Sequence, residues 1–532
     1  ADRLLIEGRY RELTHDLPPA IEIYRTLHNF FPDDLQYALL LSSAQTNAGL
    51  GRDALQTVAQ MRNLPSPDNQ DAQIDLAEAR AAQSLGDLKL CDRAAGAAAV
   101  RAEQQGSKLI MSAALNTQSW ALSRMGKESE SDAAEAKALA LAKETGNSRA
   151  VAAVQHGIAI SQYNKGKFAE AQKSFETALS EFRAIGDVNS TASVSHNLGV
   201  LLNDEGDLAS SKRYLEDALR IQREINDDRG VASDLDDLGS VLESMGNLNE
   251  ALRMKAEAAQ IFHRTGDRRG EAVSLGNMGA IQIKQGNIAD ARASYEKSLA
   301  LKQQNNDSRG QAYALLGLSF VNMAGDRLDE AHSQATRALA IRKEMNDEMR
   351  SAEAQAQLAE IALEKSRPVE AESLARAALK VLEKSKVPSS AAYANVVLAR
   401  ALLAQNKIKE AESVSKAGMA LAQQANDFAT TANAALAMAT VRSRLGQTHV
   451  AAAELRSLDR DAATRGFLNA ALRTRLHLGV LEVSSHATQA DGVARLKQLR
   501  DEAQHKGLLL ISHRASSALD TAEPSTKIQA RR

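Results

Sequence analysis

The chain has 532 residues, more than one compact globular core usually accommodates, and 44% of them are apolar. The 65 basic and 67 acidic residues give a net charge of −2, which excludes a strong overall attraction for nucleic acid or an anionic membrane. The single cysteine excludes an internal disulfide, and an aromatic content of 3% disfavours a β-sheet protein.

The first predicted elements are two helices within residues 1–32, and a turn position then recurs along the chain. This position advances by 34 residues from His15 to Gly49, by 37 residues to Gly86 and by 40 residues at each later step. The later turn positions are Gly126, Gly166, Gly206, Gly246, Gly286, Ser366, Asn406 and Gly446. Gly325 stands one place early, which predicts a local slip inside that turn. A fixed step of this length indicates tandem structural repeats.

Two columns of small residues keep the same phase. The first lies five residues after the turn and consists of Cys91, Ser131, Ala171, Ser211, Ala251, Ala291, Ala331, Ala371, Ala411 and Ala451. The second lies seven residues before the turn and consists of Ala79, Ser119, Ala159, Gly199, Gly239, Gly279, Ser319, Ala359, Ala399, Ala439 and Gly479. Small residues in fixed phase predict that two helices cross closely there, because larger side chains would separate the backbones. Cys91 is accordingly interpreted as a small packed residue rather than a nucleophile.

Each repeat ends with a glycine or an asparagine that precedes a capping residue. The pairs are Gly146-Asn147, Gly186-Asp187, Asn226-Asp227, Gly266-Asp267, Asn306-Asp307, Asn346-Asp347 and Asn426-Asp427. Gly and Asn can adopt the left-handed conformation that ends a helix, and Asp or Asn can cap the next one. At Lys386-Val387-Pro388 a proline supplies the break instead. Between these marks apolar residues recur at three- and four-residue steps, which predicts two amphipathic helices per unit.

These features resemble the tetratricopeptide repeat (TPR). The first unit carries the motif residues Gly8, Ala20, Tyr24 and Pro32, and a later one carries Gly199, Gly206, Ser211, Leu215 and Ala218. The resemblance implies an all-α fold, a right-handed superhelical α-solenoid of about thirteen helix–turn–helix units. The 40-residue form is similar to the repeats of the spindle-orientation scaffold LGN/Pins and of kinesin light chain.

The predicted organisation is a repeat array over residues 1–506, a capping helix over 507–520 and a disordered tail over 521–532. The opening segment, residues 7–34, also resembles the C-terminal repeat regions of large bacterial signalling proteins. In those proteins a serine/threonine kinase or a winged-helix DNA-binding domain precedes the repeats. On this alternative the chain is a regulatory region, and the catalytic or DNA-binding domain is missing from it.

The resemblance also implies where a partner binds, because the first helix of each TPR pair lines a concave groove. Asn197 and Asn277 match the asparagine that bonds the main chain of a bound peptide in this family, since an amide offers both donor and acceptor. The candidate peptide-binding groove consists of Ser193, His196, Asn197, Asn203, Asp237, Ser240, Glu243 and Asn277. The alternative is that these are simply polar, exposed helix residues.

Further along the chain the groove is expected to become more apolar, through Val397, Leu403, Leu436 and Ala437, and to suit an amphipathic helix instead. The basic residues that hold a Glu-Glu-Val-Asp tail in chaperone-binding repeats are missing from the central positions, so that ligand is not expected.

The sequence contains none of the common hydrolase, zinc-protease or P-loop motifs, so we expect no catalytic residues, no cofactor and no enzymatic activity. His156 and His196 recur in one column, but they lie on successive stacked units, and no metal site is expected. The composition also predicts little room for a buried pocket. Without an apolar span or a signal peptide, no membrane segment is expected in this chain. A cytoplasmic location follows, or an extracytoplasmic one if a membrane segment lies upstream of Ala1.

Two functional hypotheses follow. The first is a non-catalytic scaffold or sensor region that binds a peptide or a partner protein in the groove. The second is an RNA-binding helical repeat, which requires basic groove residues. The net charge and the Ser, Asp, Asn and Glu residues of the groove argue against nucleic acid. The partner's identity and the oligomeric state stay open.

Overall fold

The computed structural model describes residues 1–14, 16–385, 387–425 and 427–522. Over these residues the chain forms 27 α-helices and one short 3₁₀ helix (Asp68–Gln70), and the described part contains no strand. The helices are α1 (Asp2–Leu13), α2 (Leu17–Phe30), α3 (Leu35–Asn47), α4 (Gly51–Met61), α5 (Ala72–Leu85), α6 (Leu88–Gln104), α7 (Lys108–Arg124), α8 (Glu128–Glu144), α9 (Ser148–Asn164), α10 (Phe168–Ala184), α11 (Val188–Glu205), α12 (Leu208–Glu224), α13 (Asp228–Ser244), α14 (Leu248–Arg264), α15 (Arg268–Lys284), α16 (Ile288–Gln304), α17 (Ser308–Ala324), α18 (Leu328–Glu344), α19 (Glu348–Glu364), α20 (Pro368–Leu382), α21 (Pro388–Ala404), α22 (Ile408–Ala425), α23 (Phe428–Arg444), α24 (Thr448–Thr464), α25 (Leu468–Val483), α26 (Gln489–His505) and α27 (Leu509–Ala522). The predicted all-α repeat fold is confirmed.

In chain order the helices form thirteen pairs, from α1 with α2 to α25 with α26, and a final helix, α27. The early helices are short, with 13 residues in α3 and 11 in α4, whereas α9 and α10 have 17 residues each. Two 17-residue helices and two three-residue connections account for the 40-residue step. The longer repeat therefore comes from longer helices joined by uniformly short turns.

The repeat boundaries follow the predicted chemistry. Asn306 takes a left-handed conformation (φ 53°), and the carboxylate of Asp307 then accepts the backbone N–H of Gly310 at 2.9 Å to cap α17. The same arrangement recurs at the other predicted pairs, except that Asn426 lies outside the described residues. The expected slip at Gly325 does not disturb the backbone. Asp326 takes the left-handed conformation instead (φ 58°), so the turn position keeps its 40-residue phase.

The columns of small residues mark close helix crossings. A Cβ atom on Gly199 would lie 2.7 Å from Cγ of Leu215, and one on Gly239 would lie 2.7 Å from Cγ of Lys255. Cys91 is fully buried beside Ala82 and Ala121, and burial raises the pKa of its thiol to about 12. These contacts confirm that the columns are small for steric reasons.

The chain divides into two compact units, unit 1 (Ala1–Asp234) and unit 2 (Leu235–Arg532). In unit 1 the hydrophobic clusters join neighbouring helices, as in the cluster of Phe175, Phe182 and Leu198 on α10 and α11. This is the nearest-neighbour packing of a linear repeat array.

Unit 2 also contains a hydrophobic cluster that joins helices far apart in its sequence. This cluster joins Ile288 and Leu318 to Leu476 and Leu508, and α15 contacts α25 while α17 contacts α27. Unit 2 is therefore closed on itself, with its last helices packed against its early ones.

Helix α27 overlaps the segment that was predicted as a capping helix, 507–520. It contributes Ile511 and Leu519 to the cluster that joins the early and late helices of unit 2, which we call the closing cluster. Residues 521 and 522 of the predicted tail belong to this helix, and residues 523–532 lie outside the described part. Among the helices that the structure describes, none combines the length and apolar character needed to span a membrane.

Candidate functional site

The eight groove residues predicted from the sequence lie on α11, α13 and α15. Ser193, His196, Asn197 and Asn203 belong to unit 1, whereas Asp237, Ser240, Glu243 and Asn277 belong to unit 2. Each half is therefore described within its own unit.

In unit 1 two of the predicted residues, Asn197 and His196, bond to neighbouring repeats. The amide nitrogen of Asn197 lies 2.8 Å from Nε2 of His156, and burial lowers the pKa of His156 to about 4, which keeps this imidazole neutral and able to accept. Nδ1 of His196 lies 2.7 Å from the buried carboxylate of Asp234. Ser193 is exposed and its hydroxyl donates to its own helix. These pairs hold adjacent repeats together.

In unit 2 a fully buried lysine organises the predicted residues. Nζ of Lys255 donates to the carbonyl oxygen of Asp236 at 2.8 Å and to the hydroxyl of Ser240 at 2.9 Å. The carboxylate of Asp236 also accepts the amide of Asn277 at 3.3 Å. The carboxylate of Glu243 pairs with Lys284 at 2.7 Å. Asn197 and Asn277 thus both donate within the chain, and their role toward a peptide stays a prediction.

The histidine column does not gather metal ligands. His156 pairs with Asn197 and His196 with Asp234, and no group of three His, Cys, Asp or Glu side chains converges among the described residues.

The expectation of an apolar groove in the later repeats is wrong for the four residues proposed. Val397, Leu403, Leu436 and Ala437 are each at most 6% exposed and pack inside the helical core. Small neighbours such as Ala394 let successive first helices approach closely, so these positions are enclosed between helices instead of facing a groove.

Unit 2 contains a pocket of about 530 Å³ that the composition did not lead us to expect. It is lined mainly by the first helices of successive pairs, from α15 to α25, and by α27. Its apolar wall includes Phe320, Met323, Tyr393, Leu476 and Ile511. The pocket exists because unit 2 closes, which places α25 and α27 opposite α15 and α17. Local composition carries no information on that closure.

The pocket residues continue the columns of the predicted groove. At 40-residue steps the column of Ser193 contains Tyr313, Glu353, Tyr393, Asn433 and Arg473, and all five line the pocket. The column of Ser240 contains Phe320, Glu360 and Arg400, which also line it. The positions expected to make the later groove apolar, Val397, Leu403, Leu436 and Ala437, are buried, whereas the columns of Ser193 and Ser240 reach the pocket. Extending the same columns by 40 residues at a time finds the pocket.

A network of buried charges crosses the pocket. Arg400 pairs with Glu360 at 2.7 Å and with Glu364 at 2.6 Å, and Arg514 of α27 also pairs with Glu364. The hydroxyl of Tyr393 donates to Glu360 at 2.5 Å. Burial opposes the ionisation of Glu360, but Arg400 and Arg473 outweigh it and hold the pKa of that carboxyl below its ordinary value. The carboxylate is therefore charged inside the pocket.

His477 lies in the same network as a neutral side chain. Burial lowers its pKa to about 3, and the charges of Arg400, Arg473 and Arg514 lower it further in the same direction. Its Nδ1 lies 3.1 Å from the hydroxyl of Thr440, which itself donates to the carbonyl of Leu436. Thr440 therefore accepts the Nδ1 proton, and Nε2 is the unprotonated nitrogen.

Comparison with known proteins gives one family. Residues 150–224 and 231–304 match the tetratricopeptide repeat family. A search of curated proteins found no match.

Several solved structures are similar to this chain. A Signal Transduction ATPase with Numerous Domains protein with a tetratricopeptide repeat sensor, from Pyrococcus horikoshii, is 15% identical with a TM-score of 0.48; the match covers 76% of this chain and 65% of that one. The apo form of RapI is 15% identical with a TM-score of 0.49 and coverages of 66% and 98%. The apo form of the quorum sensor NprR from B. thuringiensis is 15% identical with a TM-score of 0.45 and coverages of 66% and 99%. The family match identifies residues 150–224 and 231–304 as tetratricopeptide repeats, and the described chain has the helical-repeat fold of that superfamily.

Proposed function

We propose that this chain is a non-catalytic protein-interaction module that holds a peptide segment of a partner protein in the pocket of unit 2. The observation that carries the proposal is the lining of the pocket by the groove columns of successive repeats. Its volume of about 530 Å³ is in the range of ligand-binding pockets, and its aromatic and arginine side chains are those that dominate binding energy at interfaces.

The polar groups of the pocket support binding rather than catalysis. The hydroxyl of Ser390 donates to Glu353 at 2.8 Å, and neutral His477 bonds to Thr440. Among the described lining residues these two therefore do not form a nucleophile with its base. The tetratricopeptide repeat is generally a non-catalytic unit that binds proteins.

The test uses the full chain and a blocked pocket. Ala429 lies at the start of α23 and lines the pocket, so Ala429→Trp should fill part of the cavity. Ala453 is exposed on α24, and Ala453→Trp is the matched control. Peptides are selected from a random display library on the unaltered chain and measured by calorimetry. We expect Ala429→Trp to weaken binding about tenfold or more, which is about 1.4 kcal/mol, and Ala453→Trp to leave it unchanged.

The polar residues predicted from the sequence provide the competing location. The double variant Asn197→Ala, Asn277→Ala removes both amides that match the peptide-binding asparagine. Loss of peptide binding in this double variant, with full binding retained by Ala429→Trp, would assign binding to Asn197 or Asn277 and overturn the pocket assignment.

A further inference from the structure

The charges that meet at the centre of the pocket do not cancel. Arg400, Arg473 and Arg514 face two carboxylates, Glu360 and Glu364, and His477 beside them is neutral. One positive charge is therefore in surplus within this cluster. These arginines lie in the last repeats and in α27, away from the central positions where the family resemblance places carboxylate recognition.

The surplus is concentrated on one side chain. Arg400 makes two short carboxylate contacts, at 2.7 and 2.6 Å, and Arg514 pairs with Glu364. Arg473 is only 3.7 Å from Glu360 and donates its other terminal nitrogen to the neutral amide oxygen of Asn433 at 3.1 Å. Of these three arginines, Arg473 is thus the one whose charge is least neutralised, and 30% of its side chain is exposed to solvent.

Arg473 contacts Glu360 and Asn433, but most of the surface of the pocket that it lines is apolar. Phe320 and Tyr393 form an edge-to-face pair with ring centroids 6.3 Å apart, and Leu476 and Ile511 line the same pocket. A guanidinium in apolar surroundings interacts more strongly with an anion than one in water, and its planar fork matches a carboxylate. Arg342 and Arg350 also line the pocket, but both pair with Glu353, so Arg473 is the incompletely paired guanidinium that a carboxylate would meet.

We propose that the pocket binds a carboxylate carried on an apolar body, with the carboxylate on Arg473 and the body against Phe320 and Leu476. The inference rests on the proposed function because it concerns the same pocket, and it adds the chemistry of the ligand. Such a carboxylate is found both at the C-terminus of a peptide and in a small organic acid.

The first experiment compares acids with their neutral amides on the full chain. The small-molecule pair is 3-phenylpropionate and 3-phenylpropanamide, measured by ligand-observed saturation-transfer NMR, which detects weak binding. The peptide pair is acetyl-Ala-Ala-Leu-Phe with a free carboxylate and with a C-terminal amide, measured by calorimetry. We expect the acid to bind about tenfold or more tightly than the amide in at least one pair, since only the acid forms charge-assisted hydrogen bonds with the guanidinium.

The second experiment locates the carboxylate. Arg473→Gln removes one charge and keeps a donor for Asn433, whereas Arg460→Gln removes the same charge from the exposed face of α24. The preference for the acid should disappear in Arg473→Gln and persist in Arg460→Gln. A preference that survives in Arg473→Gln, or that is absent from both pairs on the unaltered chain, overturns the inference.

The outcomes separate this inference from the proposed function. Equal binding of the acid and amide peptides at a site blocked by Ala429→Trp would leave the peptide function standing and overturn the carboxylate. A preference for 3-phenylpropionate, with neither the acid peptide nor selected library peptides bound, would support the carboxylate and overturn the peptide function.

Discussion

At the residue scale, the buried polar side chains of this protein depend on partners from neighbouring helices. Lys255 is fully buried at a place where the preceding repeat has Leu215 and the following repeat has Tyr295. It is tolerated because its ammonium donates to Asp236 and Ser240 and lies 3.3 Å from the carboxylate of Asp236. A buried charge without such acceptors would cost several kcal/mol or more.

His477 gives a pH prediction at this scale. Its pKa is lowered to about 3, so the folded chain keeps it neutral, while the unfolded chain binds its proton below about pH 6.5. Unfolding therefore takes up a proton in this range. The contribution of His477 to the free energy of unfolding is lost as the pH falls from 6.5 toward 3. The variant His477→Gln lacks this titration. Its free energy of unfolding should therefore fall less steeply with decreasing pH, by up to about 1.4 kcal/mol per pH unit.

The measurement is urea-induced unfolding of the full chain at pH 7, 6 and 5, which gives the free energy of unfolding of the helices of unit 2 at each pH. His449 is exposed on α24, and His449→Gln is the control. If His477→Gln and the unaltered chain lose stability with the same pH slope, the imidazole is not held neutral by its neighbours.

At the element scale, the helices are defined by local signals that agree with one another. Asp307 caps α17 and Asp347 caps α19, each by accepting the backbone N–H of the third residue of the helix. Asn306 and Asn346, in the connections before these helices, take the left-handed conformation that ends the preceding helix. Such consistent local preferences allowed the helix pairs to be predicted before their packing was known.

Gly239 gives a prediction for the crossing of α13 with α14. A side chain there would meet Cγ of Lys255 at 2.7 Å and the carbonyl oxygen of Ala251 at 3.2 Å. Gly239→Leu should therefore overpack the crossing, displace the buried lysine and lower the stability by about 1–3 kcal/mol or more. Adjacent repeats should also exchange amide hydrogens faster, because neighbouring units stabilise each other.

Ser244 is exposed on the same helix, and Ser244→Leu serves as the control for thermal melting and hydrogen exchange. An unchanged melting curve for Gly239→Leu would contradict the assigned register.

At the scale of the whole molecule, the hydrophobic clusters of the two units differ in how far along the sequence they reach. The described clusters of unit 1 join helices adjacent in sequence, whereas unit 2 adds contacts between its two ends. The side chain of Asn469 donates to the carbonyl of Ile283 at 3.3 Å, and His513 lies 2.5 Å from Asp326. Closure of this kind makes distant repeats of unit 2 thermodynamically dependent on each other.

Leu508 tests that dependence. It is 1% exposed in the closing cluster, so Leu508→Ala should lower the stability by about 2–5 kcal/mol. Because the cluster also contains Ile288 and Leu318, hydrogen exchange should speed up in α16 and α17 as well as in α26 and α27.

Leu455 is equally buried but belongs to a cluster of adjacent helices, α23 to α25. Leu455→Ala should loosen only its neighbours. Faster exchange confined to α26 and α27 in Leu508→Ala would mean that the contact between the ends of unit 2 does not couple them.

The sequence by itself determined the helical pairs, their turns and the columns that face the inside of the array, because these depend on residues that are close in the chain and recur at a fixed period. It misjudged the four apolar residues from Val397 to Ala437, since the same columns can face a groove or an adjacent helix. Only the tertiary structure decided that unit 2 closes, that a pocket results and that Arg473 faces Glu360 and Asn433 within it. The closing contacts join residues as far apart as Asp326 and His513, and no local period specifies which distant repeats meet.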